Sequence, residues 1–259
     1  MSREGGSVQE DGVSVIMPAF NLASYLEASA RSVLAQTWRN LELIIVDDCS
    51  SDGTLQVAER LASEDNRVRV LKTPRNLGGA GARNLGMANA RAPYVAFLDG
   101  DDLWAPEKLA RQRACMQATG ASLCYTAIQK LDAAGHPMGE VQPVPERIEY
   151  EQLLGNPVIG CSTVLLNHVA LGRPLMPEIR KRQDFAFWLK LLREGAVARG
   201  VNEPLTLYRV RPGSLSANKL SAAAYTWRVY REHEKLSVMR TLPKFLSYAW
   251  RGYRKARNR

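Results

Sequence analysis

Histidine is scarce in this chain of 259 residues: His136, His168 and His233 are all it has, and none stands at metal-ligand spacing from another ligand type. The four cysteines, Cys49, Cys115, Cys124 and Cys161, include no CxxC pair. That spacing argues against a thiolate metal site, and reduced thiols are the expectation. No apolar run approaches the ~20 residues that span a bilayer, so the chain is expected to be cytoplasmic, with any work at a membrane done from its surface. The opening MSREGGSVQEDG is polar and has no signal-peptide core. Internal repeats and low-complexity tracts are lacking too. No Gly-Lys-Ser/Thr occurs, which excludes a Walker loop. A dinucleotide fingerprint should follow the first strand, but Pro18-Ala19-Phe20-Asn21 stands there instead.

Apolar residues make up 46% of the chain and charged ones 24%, as in an ordinary globular protein. The formal charge of +9 is unevenly spread. Ten lysines and arginines against two glutamates fall between Tyr225 and Arg259, which leaves about +1 for residues 1–224. The basic character belongs to the tail.

The first hundred residues alternate between strand and helix. Val13 to Met17, Leu41 to Val46, Val68 to Leu71 and Tyr94 to Leu98 are short, β-branched apolar runs that predict strands buried on both faces. Helices are predicted over Leu22 to Gln36, Thr54 to about Ser63 and Ala82 to Ala90, the last after a loop containing Gly78-Gly79-Ala80-Gly81. This pattern predicts an α/β fold with a mostly parallel sheet and right-handed crossovers. Beyond Pro106 the pattern loosens. A helix to Ala118 and a strand over Ser122 to Leu131 precede an irregular Pro/Gly-rich stretch from Ala133 to Pro145, and Arg182 to Arg193 reads as a helix. The second half is expected to complete a mixed sheet, followed by C-terminal helices broken near Pro243. Residues 1–218 are expected to form one domain, with a first half at about 12–104 and a second at about 105–218. Residues 219–259 would form a basic helical extension.

In an open α/β sheet ligands bind beyond the carboxyl ends of the strands. Three of the predicted strands end in Pro18-Ala19-Phe20-Asn21, Asp47-Asp48 and Asp99-Gly100-Asp101-Asp102. Distant in sequence, these groups should converge on one rim. Aspartates crowded on one rim repel one another unless a cation sits among them. Mn²⁺ or Mg²⁺ takes one or two carboxylates plus substrate phosphates, which suits the DxD spacing of Asp99 and Asp101, and Gly100 would let a phosphate approach the backbone. The alternative is an ordinary strand-to-helix turn whose carboxylate caps the helix near Pro106.

Six segments in order carry a resemblance to a known family: VSVIMPAFN, QTWRNLELIIVDDCSSDGT, NLGGAGARNLGMANA, APYVAFLDGDDLWAPEKL, RQDFAFWLKLL and LYRVRPGSLS. Over roughly residues 12 to 215 the chain resembles family-2 glycosyltransferases of the GT-A fold, particularly bacterial enzymes of surface-polysaccharide synthesis. The resemblance implies inverting transfer of a sugar from a nucleotide-sugar donor, uridine by default, to a glycan or lipid-linked acceptor. It implies that Pro18, Ala19 and Asn21 line the nucleoside pocket, that Asp48 bonds the base with Asp47 close by, and that Arg83 offsets nucleotide charge. Asp99 and Asp101 would be the metal motif, with Asp99 nearer the ribose and Asp101 the direct ligand. Arg209, Arg211 and Ser214 would lie over the diphosphate. Asp184 would be the catalytic base. The family often has Glu-Asp where this chain has Gln183-Asp184, which removes a neighbouring carboxylate but leaves the second position intact. Read by itself, Asp184 is also compatible with a helix N-cap. Trp104 and Trp188 could stack on an acceptor sugar or belong to the core.

In the tail, Phe245, Leu246, Ala249, Trp250 and Tyr253 recur at helical spacing beside Arg251, Arg254 and Lys255. A basic amphipathic helix over 243–259 suits an anionic membrane surface, where polyprenyl-linked acceptors are found; packing on the catalytic domain is the alternative. No nucleic-acid motif accompanies the charge. Two other functions remain open on the sequence: a nucleotidyltransferase, which usually places a basic Gly-rich loop after the first strand, and a non-catalytic nucleotide-sugar-binding module, which would need no base.

Overall fold

The computed structural model describes residues 11–211 and 219–257, the side chains of 219–220 and 252–257 excepted. Strands and helices alternate through the first half: β1 (Val13–Ala19), α1 (Leu26–Leu34), β2 (Leu41–Asp47), α2 (Thr54–Glu64), β3 (Val68–Lys72), α3 (Gly78–Ala88) and β4 (Tyr94–Phe97). The strands pair in parallel in the order β3-β2-β1-β4. Successive side chains along each strand face opposite sides. Ile16, Ile44 and Val46 enter one core with Phe97 and the α3 residues Ala82 and Met87. Val15, Met17, Leu43 and Ile45 enter the other with Leu26 and Ala30 of α1 and Ala58 of α2. Each such fully buried aliphatic side chain contributes about 1.5–3 kcal/mol, which is why β1 and β2 carry apolar side chains on both faces rather than on one.

The second half supplies β5 (Leu103–Trp104), α4 (Lys108–Thr119), β6 (Leu123–Leu131), β7 (Pro137–Gln142), β8 (Arg147–Ile148), α5 (Tyr150–Gly155), a 3-10 turn at Cys161–Thr163, β9 (Leu165–Asn167), α6 (Gln183–Arg193) and β10 (Ala198–Arg209). β9 runs antiparallel between β4 and β6 and joins the halves into one mixed sheet. The chain closes with α7 (Lys219–Arg228), a π-helical turn at Val229–His233 and α8 (Val238–Arg257).

Several sequence expectations are corrected. β1 continues through Pro18 to Ala19, because its pairing with β4 stops at Ile16 and the missing N–H removes no bond there. α1 starts at Leu26 rather than Leu22, after a turn. α3 starts at Gly78, so the glycine run is its first turn rather than a loop. The Asp48 carboxylate accepts the N–H groups of Leu77 and Gly78, both at 2.8 Å, and so satisfies donors that a helix start leaves without partners. The stretch from Ala133 to Pro145 contains β7, an exposed strand on β6. The C-terminal helices break before Val238, where Lys235 takes a left-handed backbone (φ 52°), and not at Pro243. The carbonyl one turn before Pro243 belongs to Met239, which is 86% exposed, so water can take the place of the lost donor.

α8 packs on the domain along one face. Phe245 meets Trp227 edge-on at 5.3 Å, Lys244 pairs with Glu151 of α5 at 2.8 Å, and the Tyr248 hydroxyl accepts from Arg182 at 2.8 Å. The opposite face carries Met239, Leu242, Leu246 and Trp250, all exposed. The apolar stripe expected from the sequence therefore divides, with Phe245 inward and Leu246, Ala249 and Trp250 outward. The side chain of Tyr253 lies outside the described residues.

Candidate active site

The parallel register sets the rim. Ala19 sits opposite Asp47 across β1 and β2, and Ile16 opposite Phe97 across β1 and β4. The segments that follow β1, β2 and β4 therefore emerge side by side. Asn21, held with a left-handed backbone (φ 53°), accepts the Ser51 N–H through its side chain at 2.9 Å, which ties the loop after β1 to the loop after β2. Asp47 is buried, with one carboxylate oxygen on the Ser50 N–H (3.3 Å) and the other without a partner among the described residues. Asp48 is also buried. Besides the α3 amides it accepts the Thr73 hydroxyl at 2.9 Å, so most of its hydrogen-bonding capacity serves the start of α3.

The turn after β4 separates its aspartates by role. Asp99 pairs through one oxygen with Arg83 of α3. Asp101 pairs through one oxygen with Arg211 at 2.5 Å. Asp102 is fully buried and accepts the Ser162 hydroxyl at 2.7 Å and the Arg209 N–H at 3.0 Å. Burial pushes the Asp102 carboxyl well above the usual carboxylate range, and Asp99 and Asp101 add to the rise. Burial and Asp99 raise Asp101 as well, against the pull of Arg211. At Gly100 a Cβ would lie 2.9 Å from Leu22 Cδ1 and 3.3 Å from the Pro18 carbonyl oxygen, so the glycine lets the turn pack on the end of β1.

Arg83 is buried against this turn. Burial works against its charge, but Asp99 beside it, with Asp184 further off, holds the guanidinium above its ordinary range. Gly79 makes room for it: a Cβ there would stand 2.8 Å from Arg83 Nη1 and 3.1 Å from Gln183 Nε2. Gln183, where the family often has a carboxylate, thus lies beside Arg83. Next to it Asp184 opens α6, its carboxylate accepting the Phe185 N–H at 2.8 Å. Burial pushes Asp184 above the ordinary aspartate range, opposed by the Phe185 amide, Arg83 and Arg182. Arg209 and Arg211 both approach the face of Tyr25, at 5.4 and 5.6 Å. Arg209 also donates to the Asp101 carbonyl (3.1 Å) and the Ala133 carbonyl (3.0 Å), bracing the turn against the loop after β6. Ser214 lies outside the described residues.

The two tryptophans expected at the acceptor are core residues. Trp104 is 3% exposed and donates its indole N–H to the Ser162 carbonyl at 2.8 Å. Trp188 is wholly buried between Phe97 and Phe187. Neither side chain reaches a surface where a sugar could stack.

The model for the family described as "Glycosyl transferase family 2" matches residues 14–167. The chain belongs to this family. Over 243 residues it is 41% identical to a Bacillus subtilis protein named putative teichuronic acid biosynthesis glycosyltransferase TuaG, covering 94% of this chain and 96% of that one. It is 36% identical over 209 residues to the Escherichia coli UDP-Glc:alpha-D-GlcNAc-diphosphoundecaprenol beta-1,3-glucosyltransferase WfaP, covering 80% of each. A mannosyltransferase from Pyrobaculum calidifontis, solved with GDP-Man and Mn²⁺, shares the fold with a TM-score of 0.72 at 17% identity, covering 93% of this chain and 70% of that one. The architecture is GT-A, and the chain is a member of a glycosyltransferase family, with a relative named for teichuronic acid biosynthesis. The nucleotidyltransferase and the non-catalytic module are not favoured.

Contacts that no motif marks also build the site of this family-2 glycosyltransferase. Ser162 reaches it from the 3-10 turn, Tyr25 from the loop before α1, and Tyr248 from α8 through Arg182. Their only sequence signal is residue type, because each contact crosses between elements far apart in the chain.

Proposed function

We propose that this glycosyltransferase moves a sugar from a UDP-sugar, with inversion, to a hydroxyl of a lipid-linked or glycan acceptor, assisted by Mn²⁺ or Mg²⁺. The observation that carries this reading is the cluster of Asp99, Asp101, Arg83 and Asp184 on one rim, with Asp184 within electrostatic reach of Arg83 and Asp99. The name of the WfaP relative supports uridine and a diphospholipid acceptor.

The residues fit a hard cation. Arg83 and Arg211 each take one oxygen of Asp99 and Asp101, and among the described residues no other ion pair engages either carboxylate. Among the described residues no group of three or more His, Cys, Asp or Glu could form a complete cage. A cation held by Asp99 and Asp101 would need donor phosphates to complete its shell, the usual habit of Mg²⁺ and Mn²⁺. Such a cation supplies positive charge against which a nucleoside diphosphate leaves. Arg83 and Arg211 add fixed charge to the same place, and the walls around Pro18, Ala19, Asn21 and Asp47 would receive the nucleoside.

Asp184 has the base's role. Its carboxylate takes the proton of the acceptor hydroxyl as that oxygen bonds to the anomeric carbon. The bond from that carbon to the diphosphate breaks on the opposite face, and its electron pair leaves with the phosphate oxygen. No nucleophile of the enzyme is used, which gives inversion in one displacement. Asp184→Asn keeps the size of the side chain and removes its basicity. It should lower transfer by at least about 100-fold while UDP binding stays near wild type. A variant that keeps substantial transfer removes Asp184 from the mechanism.

The helices from residue 219 onward act in this reading as an extension that brings the domain to its acceptor. α8 presents Met239, Leu242, Leu246 and Trp250 outward. Its sequence holds Arg240, Lys244, Arg251, Arg254, Lys255 and Arg257 and no acidic residue. That combination suits an anionic bilayer surface.

A further inference from the structure

The turn that carries Asp99 and Asp101 is gripped from beneath by Ser162. The Ser162 hydroxyl donates to Asp102 Oδ2 at 2.7 Å and accepts the Asp99 N–H at 3.2 Å. Its carbonyl accepts the Trp104 indole N–H at 2.8 Å and the Thr206 hydroxyl at 3.3 Å. The other Asp102 oxygen takes the Arg209 N–H at 3.0 Å. Ser162, Asp102, Trp104 and Thr206 are all at most 5% exposed. One hydroxyl thus fixes the peptide at the entry of the turn and the carboxylate at its exit, and the same residue's carbonyl fixes the strand that follows. Asp101 lies between these two anchors, and its own side chain turns to Arg211 instead of into the network. The neighbouring Thr163 cannot substitute, because its hydroxyl is spent locally on the Gly160 carbonyl at 2.7 Å.

We propose that Ser162 is a positioning residue for the donor, with Asp102 as its partner: together they hold the Asp99–Asp101 peptide in the shape that presents both carboxylates to the diphosphate and its cation. The proposal rests on the reading of Asp99 and Asp101 as the donor turn. A small divalent cation tolerates little displacement of its oxygen ligands, and the groups that orient such ligands matter nearly as much as the ligands. Removing the hydroxyl leaves the part-buried Asp99 N–H and the buried Asp102 oxygen without this partner, and the turn can then relax away from the donor geometry.

The test is calorimetric binding of UDP, with and without Mn²⁺, to the full chain carrying Ser162→Ala, Asp102→Asn or both, with a melting curve for each. Ser162→Ala is expected to melt cooperatively and to bind UDP in the presence of Mn²⁺ roughly 10–100-fold more weakly than wild type, with UDP binding in the absence of metal changed far less. The double variant should lose no more than the larger single loss, since both residues serve one network. If Ser162→Ala does not fold, Ser162→Cys, close in size and a weaker donor, is read by the same criteria. A lowered melting temperature with wild-type binding of UDP and Mn²⁺ overturns the proposal and leaves Ser162 a purely structural residue. Fully additive losses overturn the pairing with Asp102. Wild-type protein that binds no UDP would sink the donor-turn reading itself, and the proposal with it.

Discussion

In the proposed mechanism Asp184 must be ionised to take a proton, and its surroundings make that harder. Burial raises its carboxyl above the ordinary aspartate value, and Arg83 and Arg182 only partly offset the rise. As pH falls through the raised value, Asp184 is protonated and transfer is lost. The acid limb of a kcat/KM–pH profile should therefore lie above about 4, the value of an unperturbed aspartate. Arg182→Gln, which removes one nearby positive charge, should move the limb further up. A limb at or below the unperturbed value, unmoved in the variant, would assign it to another group. At this scale the sequence was informative where chemistry demands one residue type in a recognisable string. Asp99, Asp101, Asp184 and Arg83 were all named from such strings, and the structure brings them to one rim. Trp104 and Trp188 stay open between acceptor and core on the sequence, because an aromatic beside a motif carries no mark of which way it faces, and both fill core. Gly100 shows a related limit: a glycine admits close approach, but only the fold shows that Leu22 and Pro18 pack against it.

Secondary structure followed apolar periodicity closely where burial alone decides it, as in β1 to β4. It was misjudged where a distant side chain decides it. α3 begins at Gly78 because Asp48, from another strand, accepts its first amides. Such a cap leaves no local signature. α8 runs through Pro243 because the orphaned carbonyl is on an exposed turn, and the break falls instead at Lys235, between the π-helical turn and Val238. The same helix divides its apolar residues between the domain and the outside. Co-sedimentation with vesicles should then depend on the outward face. Binding to phosphatidylglycerol vesicles should exceed binding to phosphatidylcholine vesicles, and Leu246→Glu should abolish it without lowering the melting temperature. Equal sedimentation of wild type and Leu246→Glu would mean that this face does not meet lipid.

The whole molecule is one mixed sheet whose parallel half gathers the ends of β1, β2 and β4 and whose second half brings α6 and β10 to the same rim. The parallel half could be foreseen, since its strand–helix alternation restricts the topology. The position of β9 and the pairing of β10 with β6 could not, because short strands separated by irregular chain carry no order in their sequence. Ser162 belongs to that unforeseen part, as do the contacts of Tyr25 with Arg209 and Arg211. The central claim is that carboxylates from this rim hold a cation and a nucleoside diphosphate together. Isothermal titration of UDP into wild type and Asp101→Ala, each with and without Mn²⁺, tests it most directly. Wild type should bind UDP more tightly with Mn²⁺, and Asp101→Ala should bind it equally weakly in both conditions. The same Mn²⁺ enhancement in both proteins, or none in wild type, would contradict the account.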